Sequence, residues 1–447
     1  MKRLTKEVLS WCFYDWANSA FALTVLAGFF PVFFKNYYCS GIDPVTSTAR
    51  LGIGSTVAGM LIAVFSLLLG ALADAGGGKK RLLGVFMVLG SFCTASLFLV
   101  AQGAWLSALV IFILANIGFS CANLFYDSLL TDIAEGEQMD FVSSLGYALG
   151  YLGCGLLFAF NVLTTIKPAM FGLQNAAQAV RISFLIAAGW WLLFSFPLFF
   201  FVKEKNRSEK VSSALIVNTL HSVKQTFLSI VKRPVLILFL LAYWLYFDGV
   251  NTFIRMAVDF GLSIGFTSQA LMLSLLVVQF IAFPSALSFG FLSRRFGAQR
   301  MIMFGVGIYI FISSVGALFM RTETHFILLA AISGIAQGGI QALSRSYFGK
   351  LIPAEKSAEY FGFYNIVGRF AVVGPSLVGL IGLAAKASGA SSALSSRLGI
   401  SSVNILFISG LVFLVLAEAA RMRGAGMGKG TSVLNIKAGV SDGVGAS

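Results

Sequence analysis

The segment SWCFYDWANSAFALTVLAGFF, residues 10–30, is apolar over a length that suits lipid, yet Asp15, Asn18 and Ser19 stand inside it. About 20 mostly apolar residues cross a bilayer as a helix, and a carboxylate at its centre costs about 2.5–3.5 kcal/mol even on a mild insertion scale. A span that tolerates Asp15 either lines a water-filled path or is pinned to a basic neighbour. Lys2, Arg3 and Lys6 precede the run, which continues to Phe34. A cleaved leader has an apolar core of about 7–15 residues, so this is read as a retained first span.

Working outward, the 447-residue chain is 58% hydrophobic and 11% charged, against about a quarter charged in soluble domains. Apolar windows mark twelve spans, near residues 9–35, 51–73, 81–101, 105–130, 142–165, 181–202, 235–260, 268–292, 300–320, 325–349, 358–383 and 401–420. The expected fold is an all-α polytopic membrane protein of twelve transmembrane helices in two pseudo-symmetric six-helix halves. Residues 1–202 form the first half, 203–233 a linker, 234–423 the second half and 424–447 a Gly- and Ser-rich tail expected to be disordered. In the linker Ile216, Leu220, Val223, Phe227 and Ile230 recur at helical steps, with His221, Lys224, Gln225 and Lys232 between them. That pattern predicts an amphipathic helix on the membrane surface.

The net charge of +14 does not call for nucleic acid, because membrane proteins gather Lys and Arg on cytoplasmic loops. Most of these residues fall on one side when both termini are cytoplasmic, and that orientation is expected. The acidic loop TDIAEGEQMD, residues 131–140, dissents on the same side. The five cysteines have neither metal nor disulfide spacing. No metal or cofactor is expected. Gly76–Gly78 with Lys79 and Lys80 lacks the spacing of a phosphate loop and reads as a tight turn.

The halves echo each other. Asp15, Asn18 and Ser19 in span one match Asp248, Asn251 and Thr252 in span seven, an Asp-x-x-Asn-[Ser/Thr] pattern. The loop GALADAGGGKKR from Gly70 matches GFLSRRFGAQR from Gly290. Two matching features in one order argue for a duplicated six-span unit, a transporter architecture. The register is imperfect: counted from the nearest basic loop residue, Asp248 lies roughly 9 Å deeper than Asp15.

With these features the chain resembles the major facilitator superfamily. Within it, YDWANSAFA and TVLAGFFPVFF resemble the branch of the autophagy-related vacuolar amino-acid effluxer and its bacterial relatives. The resemblance implies a gating loop at Gly70, Asp74, Lys79, Lys80 and Arg81, echoed by Gly290, Arg294 and Arg295. Ala75 stands where that loop usually has a basic residue, and Arg294 stands where the second copy would have Asp.

The resemblance also implies a cavity lined by the first and fourth helices of each half, and the polar stripes fall there. Span four carries Asn116, Ser120, Asn123 and Asp127; span ten carries Gln337, Gln341 and Arg345; span seven adds Arg255 to its motif. Each set shares one helical face. Asn, Ser and Thr also serve as interhelical glue, at about 0.6 kcal/mol each, so the acids carry the argument. Arg255 has Asp259 four residues on as a ready partner. Arg369 in span eleven has no near acid and is expected to pair with Asp248 or Asp127.

These residues predict a secondary transporter moving a small polar solute, an amino acid among the options, by alternating access. Its partners would be the bilayer, the solute and a coupled proton or ion. It would act as a monomer in a bacterial inner membrane. The alternative is a membrane-embedded sensor or enzyme without transport activity. His221 and His325 lack the neighbours that hydrolytic or metal chemistry needs, and no soluble output domain is evident.

Overall fold

The computed structural model describes residues 4–76, 78–205, 213–263, 266–369 and 373–438; the side chains of residues 44–45, 213–219 (Ile216 among them), 255–263 (Arg255 and Asp259 among them), 268–269, 317–318, 369 (Arg369), 392–393, 396 and 424–438 lie outside the described ones. The described elements are all helical. The first span opens with α1 (Lys6–Ala20), whose N-terminus is capped by Thr5 Oγ1 accepting from the Val8 amide at 3.2 Å. It then widens into a π-helical segment, Phe21–Phe29, followed by α2 (Phe30–Phe33) and a second π segment, Phe34–Tyr38. Gly28 and Pro31 sit in this stretch, and both weaken a regular helical ladder.

The rest of the first half comprises α3 (Pro44–Gly76), α4 (Lys79–Ser96), α5 (Trp105–Ile133), α6 (Gln138–Ile166) and α7 (Ala176–Phe201). The linker holds α8 (Ser213–Lys232). The second half comprises α9 (Pro234–Ser263), α10 (Ser268–Phe296), α11 (Ala298–Phe319), α12 (Glu323–Leu351), α13 (Ser357–Arg369), α14 (Val373–Ala387), α15 (Ser392–Ser401) and α16 (Val403–Ala438). Among the described residues twelve helical stretches are long and apolar enough to cross a membrane, with α13 and α14 counted in one of them. Their outward side chains suit lipid: Phe92, Leu99 and Phe200 are 70%, 76% and 77% exposed.

Two details differ from the expectation. The sequence between spans eleven and twelve reads as a connection, whereas it forms α15, nucleated by Ser391, whose hydroxyl accepts from the Leu394 amide at 3.2 Å. The last helix also runs past Arg423 to Ala438, into the stretch expected to be a disordered tail; residues 439–447 lie outside the described residues. An unbroken helix keeps its backbone groups paired through a stretch where the Gly-rich composition alone argues against order.

An even number of spans puts both termini and α8 at one end of the bundle, called here the linker end. Lys203 donates its amide to Glu7 there, at 2.8 Å. Across the halves α6 packs on α10, α3 on α13, and α12 on α5 and α6. The echoed glycines explain how closely the chains approach. A Cβ on Gly70 would lie 2.5 Å from the Ala358 carbonyl oxygen, and one on Gly290 would lie 2.6 Å from Ser144. Each glycine of the duplicated loop thus admits the other half.

Candidate functional site

Arg345, on α12 of the second half, is 1% exposed and sits among three helices of the first. Its guanidinium makes four hydrogen bonds. Nη2 lies 3.0 Å from Asp15 Oδ2 on α1, and Nη1 lies 3.1 Å from Asp127 Oδ1 on α5. Nε donates to Ser143 Oγ at 2.9 Å, and Nη2 also donates to the Ser143 carbonyl at 3.0 Å, both on α6. The planar fork suits several acceptors at fixed angles, which a lysine could not reproduce.

Aromatic rings close the site. The guanidinium carbon lies 4.2 Å from the Tyr147 ring centre, 4.8 Å from Trp11 and 5.3 Å from Tyr126. Tyr126 donates its hydroxyl to Asp15 Oδ2 at 2.8 Å, and Trp11 stacks on Tyr126 with centroids 4.3 Å apart. Exclusion of water strengthens every one of these attractions, and it makes any unpaired charge there costly. Asp15 and Asp127 are themselves 6% and 9% exposed.

The neighbouring polar residues extend the site through the bundle. Asn18 donates to Asn123 Oδ1 at 2.5 Å, and Ser19 lies against Asn18. Tyr151 on α6 donates to Gln341 Oε1 on α12 at 2.7 Å, which bridges the halves again. Gln337 is half-buried one turn before Gln341. Gln279 on α10 accepts from the Cys154 thiol at 3.5 Å.

The second copy of the motif is wired differently. Asp248 accepts from Thr252 Oγ1 at 3.2 Å and from the Gly374 amide at 3.0 Å. Gly374 is the second residue of α14, so the carboxylate meets a helix N-terminus, where the backbone amides favour negative charge. A Cβ at Gly374 would collide with Thr252 Oγ1. Asn251 is half-buried beside this pair. The side chains of Arg255 and Arg369 lie outside the described residues, and Asp127, one of the two acids offered to Arg369 by the sequence, is held by Arg345.

At the linker end a second polar belt joins the halves. Asp74, at the end of α3, accepts the Ala358 amide at 3.2 Å and the Glu359 amide at 2.7 Å, both in the first turn of α13. Lys79 reaches Asp132 at 3.2 Å and Ser357 at 2.7 Å. Asp140 accepts from Ser346 at 2.6 Å, and the Lys350 ammonium lies 2.7 Å from its carboxylate. Lys80 turns inward within its own half and caps α7 through the carbonyls of Phe199 and Val202, while Arg81 is exposed. Arg294 stacks over Phe141 of the first half at 5.2 Å, and Arg295 stays at the exposed end of α10.

Sequence reasoning places Arg345 on the polar stripe but assigns it no partner, and it misses Asp132, Asp140, Ser143 and Lys350. One signal was available. The acidic loop that dissents from the basic-side pattern supplies Asp132 and Asp140, the acids that neutralise Lys79 and Lys350. Among the described residues no group of His, Cys, Asp and Glu could hold a metal ion.

Two six-helix halves meet around a buried polar cluster, and with the family and relatives that match it the chain is a secondary transporter of the major facilitator superfamily. More narrowly, the family described as "Vacuole effluxer Atg22 like" matches residues 41–425, and the chain belongs to that family. The MFS-type transporter YxiO of Bacillus subtilis (strain 168), described as uncharacterized, is 38% identical over 417 residues, covering 93% of this chain and 95% of the relative. Autophagy-related protein 22 of Pyricularia oryzae is 22% identical, covering 84% of this chain and 72% of its own length. Among solved structures, the proton:xylose symporter XylE bound to 6-bromo-6-deoxy-D-glucose matches with a TM-score of 0.67 at 13% identity, over 91% of this chain and 93% of that one.

Proposed function

We propose that the chain moves a small zwitterionic solute, an amino acid, by alternating access, with its transport coupled to a proton or another cation. It acts as a single chain in a bacterial inner membrane, with the linker end cytoplasmic, where its Lys and Arg residues concentrate. One observation carries the reading: two carboxylates from the first half share one guanidinium from the second. The cluster holds one acid more than it has bases, in a place where an uncompensated charge is expensive. A proton, a cation or a solute amine balances it. A zwitterion supplies an amine for an Asp and a carboxylate for Arg345, so it competes for the bonds that tie the halves together. A solute that binds the separated halves better than the joined ones shifts the balance between conformers. The resemblance to the vacuolar amino-acid effluxer branch points to the same solute class.

The test is uptake by the full chain in proteoliposomes, with labelled amino acids and sugars under an imposed pH gradient. An amino acid should accumulate, and Asp127→Asn should remove the gradient dependence while the melting temperature is retained, because Asp15 and Arg345 remain as a neutral pair. Accumulation of sugars alone would sink the amino-acid reading.

A further inference from the structure

The linker helix α8 presents three sectors. Ser222, Thr226, Ser229 and Ile230 turn toward the bundle. There Ser222 donates to Glu359 Oε2 at 3.1 Å, and Tyr360 donates to Ser229 Oγ at 3.0 Å. A second sector is apolar and exposed: Leu220, Phe227, Leu228 and Val231 are 62%, 51%, 45% and 48% accessible. The third carries His221, Gln225 and Lys232 into solvent, and Lys224 is exposed within the apolar sector, between Val231 and Leu228 on the helical face. The helix Ser213–Lys232 contains no Asp or Glu, and Arg233 leads directly into α9.

A helix with protein on one side, apolar side chains on the next and basic groups above them fits the headgroup level of a leaflet. Its connection to α9, a membrane-spanning helix, puts the apolar sector beside the lipid-facing surface of the bundle. Lys224 can lay its stem along that sector and raise its ammonium to the phosphates. With Lys224, Lys232 and Arg233 and no acid within the helix, the charge complement is an anionic leaflet, each basic residue contributing about a fivefold gain in partition near such a surface.

The inward sector gives this contact a consequence. Glu359 is held by Ser222 through its side chain and by Asp74 through its amide. Glu359 therefore joins α8 to the seam between the halves. We propose that α8 docks on anionic phospholipid at the linker end and thereby steadies the closed seam, so that leaflet charge sets the balance between transport conformers. This rests on the alternating-access reading above.

The test uses the full chain reconstituted in phosphatidylcholine vesicles with or without phosphatidylglycerol. Phe227→Trp with bromine-labelled acyl chains reports insertion, after subtraction of the parent protein's own tryptophan signal. Spin labels at Glu137→Cys and Ala354→Cys, on exposed positions of the two halves, report the seam; the native cysteines are buried. With phosphatidylglycerol the introduced indole should be quenched and the short inter-label distance should dominate. The triple change Lys224→Gln, Lys232→Gln and Arg233→Gln should reproduce the distribution seen without phosphatidylglycerol, with the closed-to-open ratio lowered about tenfold. An unquenched indole, or distances indifferent to lipid charge and to the triple change, overturns the proposal. Neither readout needs a solute, so failure of the amino-acid reading would leave both intact.

Discussion

The same five-residue pattern begins the polar face of each half, and the two copies have different duties. Asp15 reaches across the bundle to Arg345, in company with Asp127. Asp248 stays with Thr252 and the start of α14, inside its own half. Each half carries a carboxylate at the same place in the motif, and the partners it meets differ. A carboxylate bonded to a guanidinium of the other half must lose or exchange that bond when the halves part. One that receives a backbone amide of its own half can move as part of a rigid body. The difference ties Asp15 to the other half, while the bonds from Thr252 and Gly374 tie Asp248 to its own.

The comparison breaks most visibly at Arg345. Arg345→Ala leaves two buried acids without their base and should cost about 3–5 kcal/mol, seen as a lowered melting temperature in detergent. Replacing both acids, Asp15→Asn with Asp127→Asn, should cost a similar amount by stranding the arginine. Asp15→Asn alone should melt close to the parent, because Asp127 still balances Arg345. If that single change melts as early as Arg345→Ala, the shared-charge account fails.

Next in size are the echoed glycines. Gly70→Ala meets the Ala358 carbonyl, a backbone atom, whereas Gly290→Ala meets the Ser144 side chain. Overpacking of this kind costs about 1–3 kcal/mol, felt here by the closed seam more than by the fold. Thiol labelling of engineered cysteines at both mouths should show the linker end opening, with Gly70→Ala the stronger of the two. Equal labelling of both variants and the parent would remove the glycines from the seam.

Asp74→Asn should act in the same direction but more weakly. An amide oxygen can still accept one of the two α13 amides, and the lost charge–dipole attraction is worth about 1 kcal/mol, a roughly fivefold shift in the labelling ratio. Smallest is Asp248→Asn, where a carbonyl oxygen can keep the bond from Thr252 or from the Gly374 amide; the loss of one such bond costs about 0.5–1.5 kcal/mol of stability. Spin-label distances across the linker end should be unchanged in that variant. A shift there as large as that of Asp74→Asn would erase the distinction between the two motif copies.

Much of the molecule is legible in its sequence. Span length, the six-plus-six repeat, the basic bias toward one end and the polar stripes of spans one, four, seven and ten all depend on local composition and helical period. A span must satisfy its backbone within itself, so its existence is written in its own twenty or so residues. The amphipathic pattern of α8 was readable for the same reason, but not which apolar residues it would turn inward. Val223 and Ile230 pack toward the bundle, Leu220 stays exposed, and Phe227 stands between, half-exposed with its ring 6.2 Å from that of Phe363 on α13.

Pairing across the halves could not be read that way. Arg345 lies 330 residues from Asp15 and 218 from Asp127, and no period connects them. The sequence offered several buried acids and several arginines, and of Arg255, Arg345 and Arg369 only Arg255 had an acid one turn away. It therefore determined that this protein is a duplicated membrane bundle with charges inside it. Only the tertiary structure decided that Arg345 takes both first-half acids, that Asp248 turns to a helix N-terminus, and that the acidic loop answers Lys79 and Lys350. The physical reason is that a charge in a span demands compensation without specifying its source. The packing of the two halves selects the source.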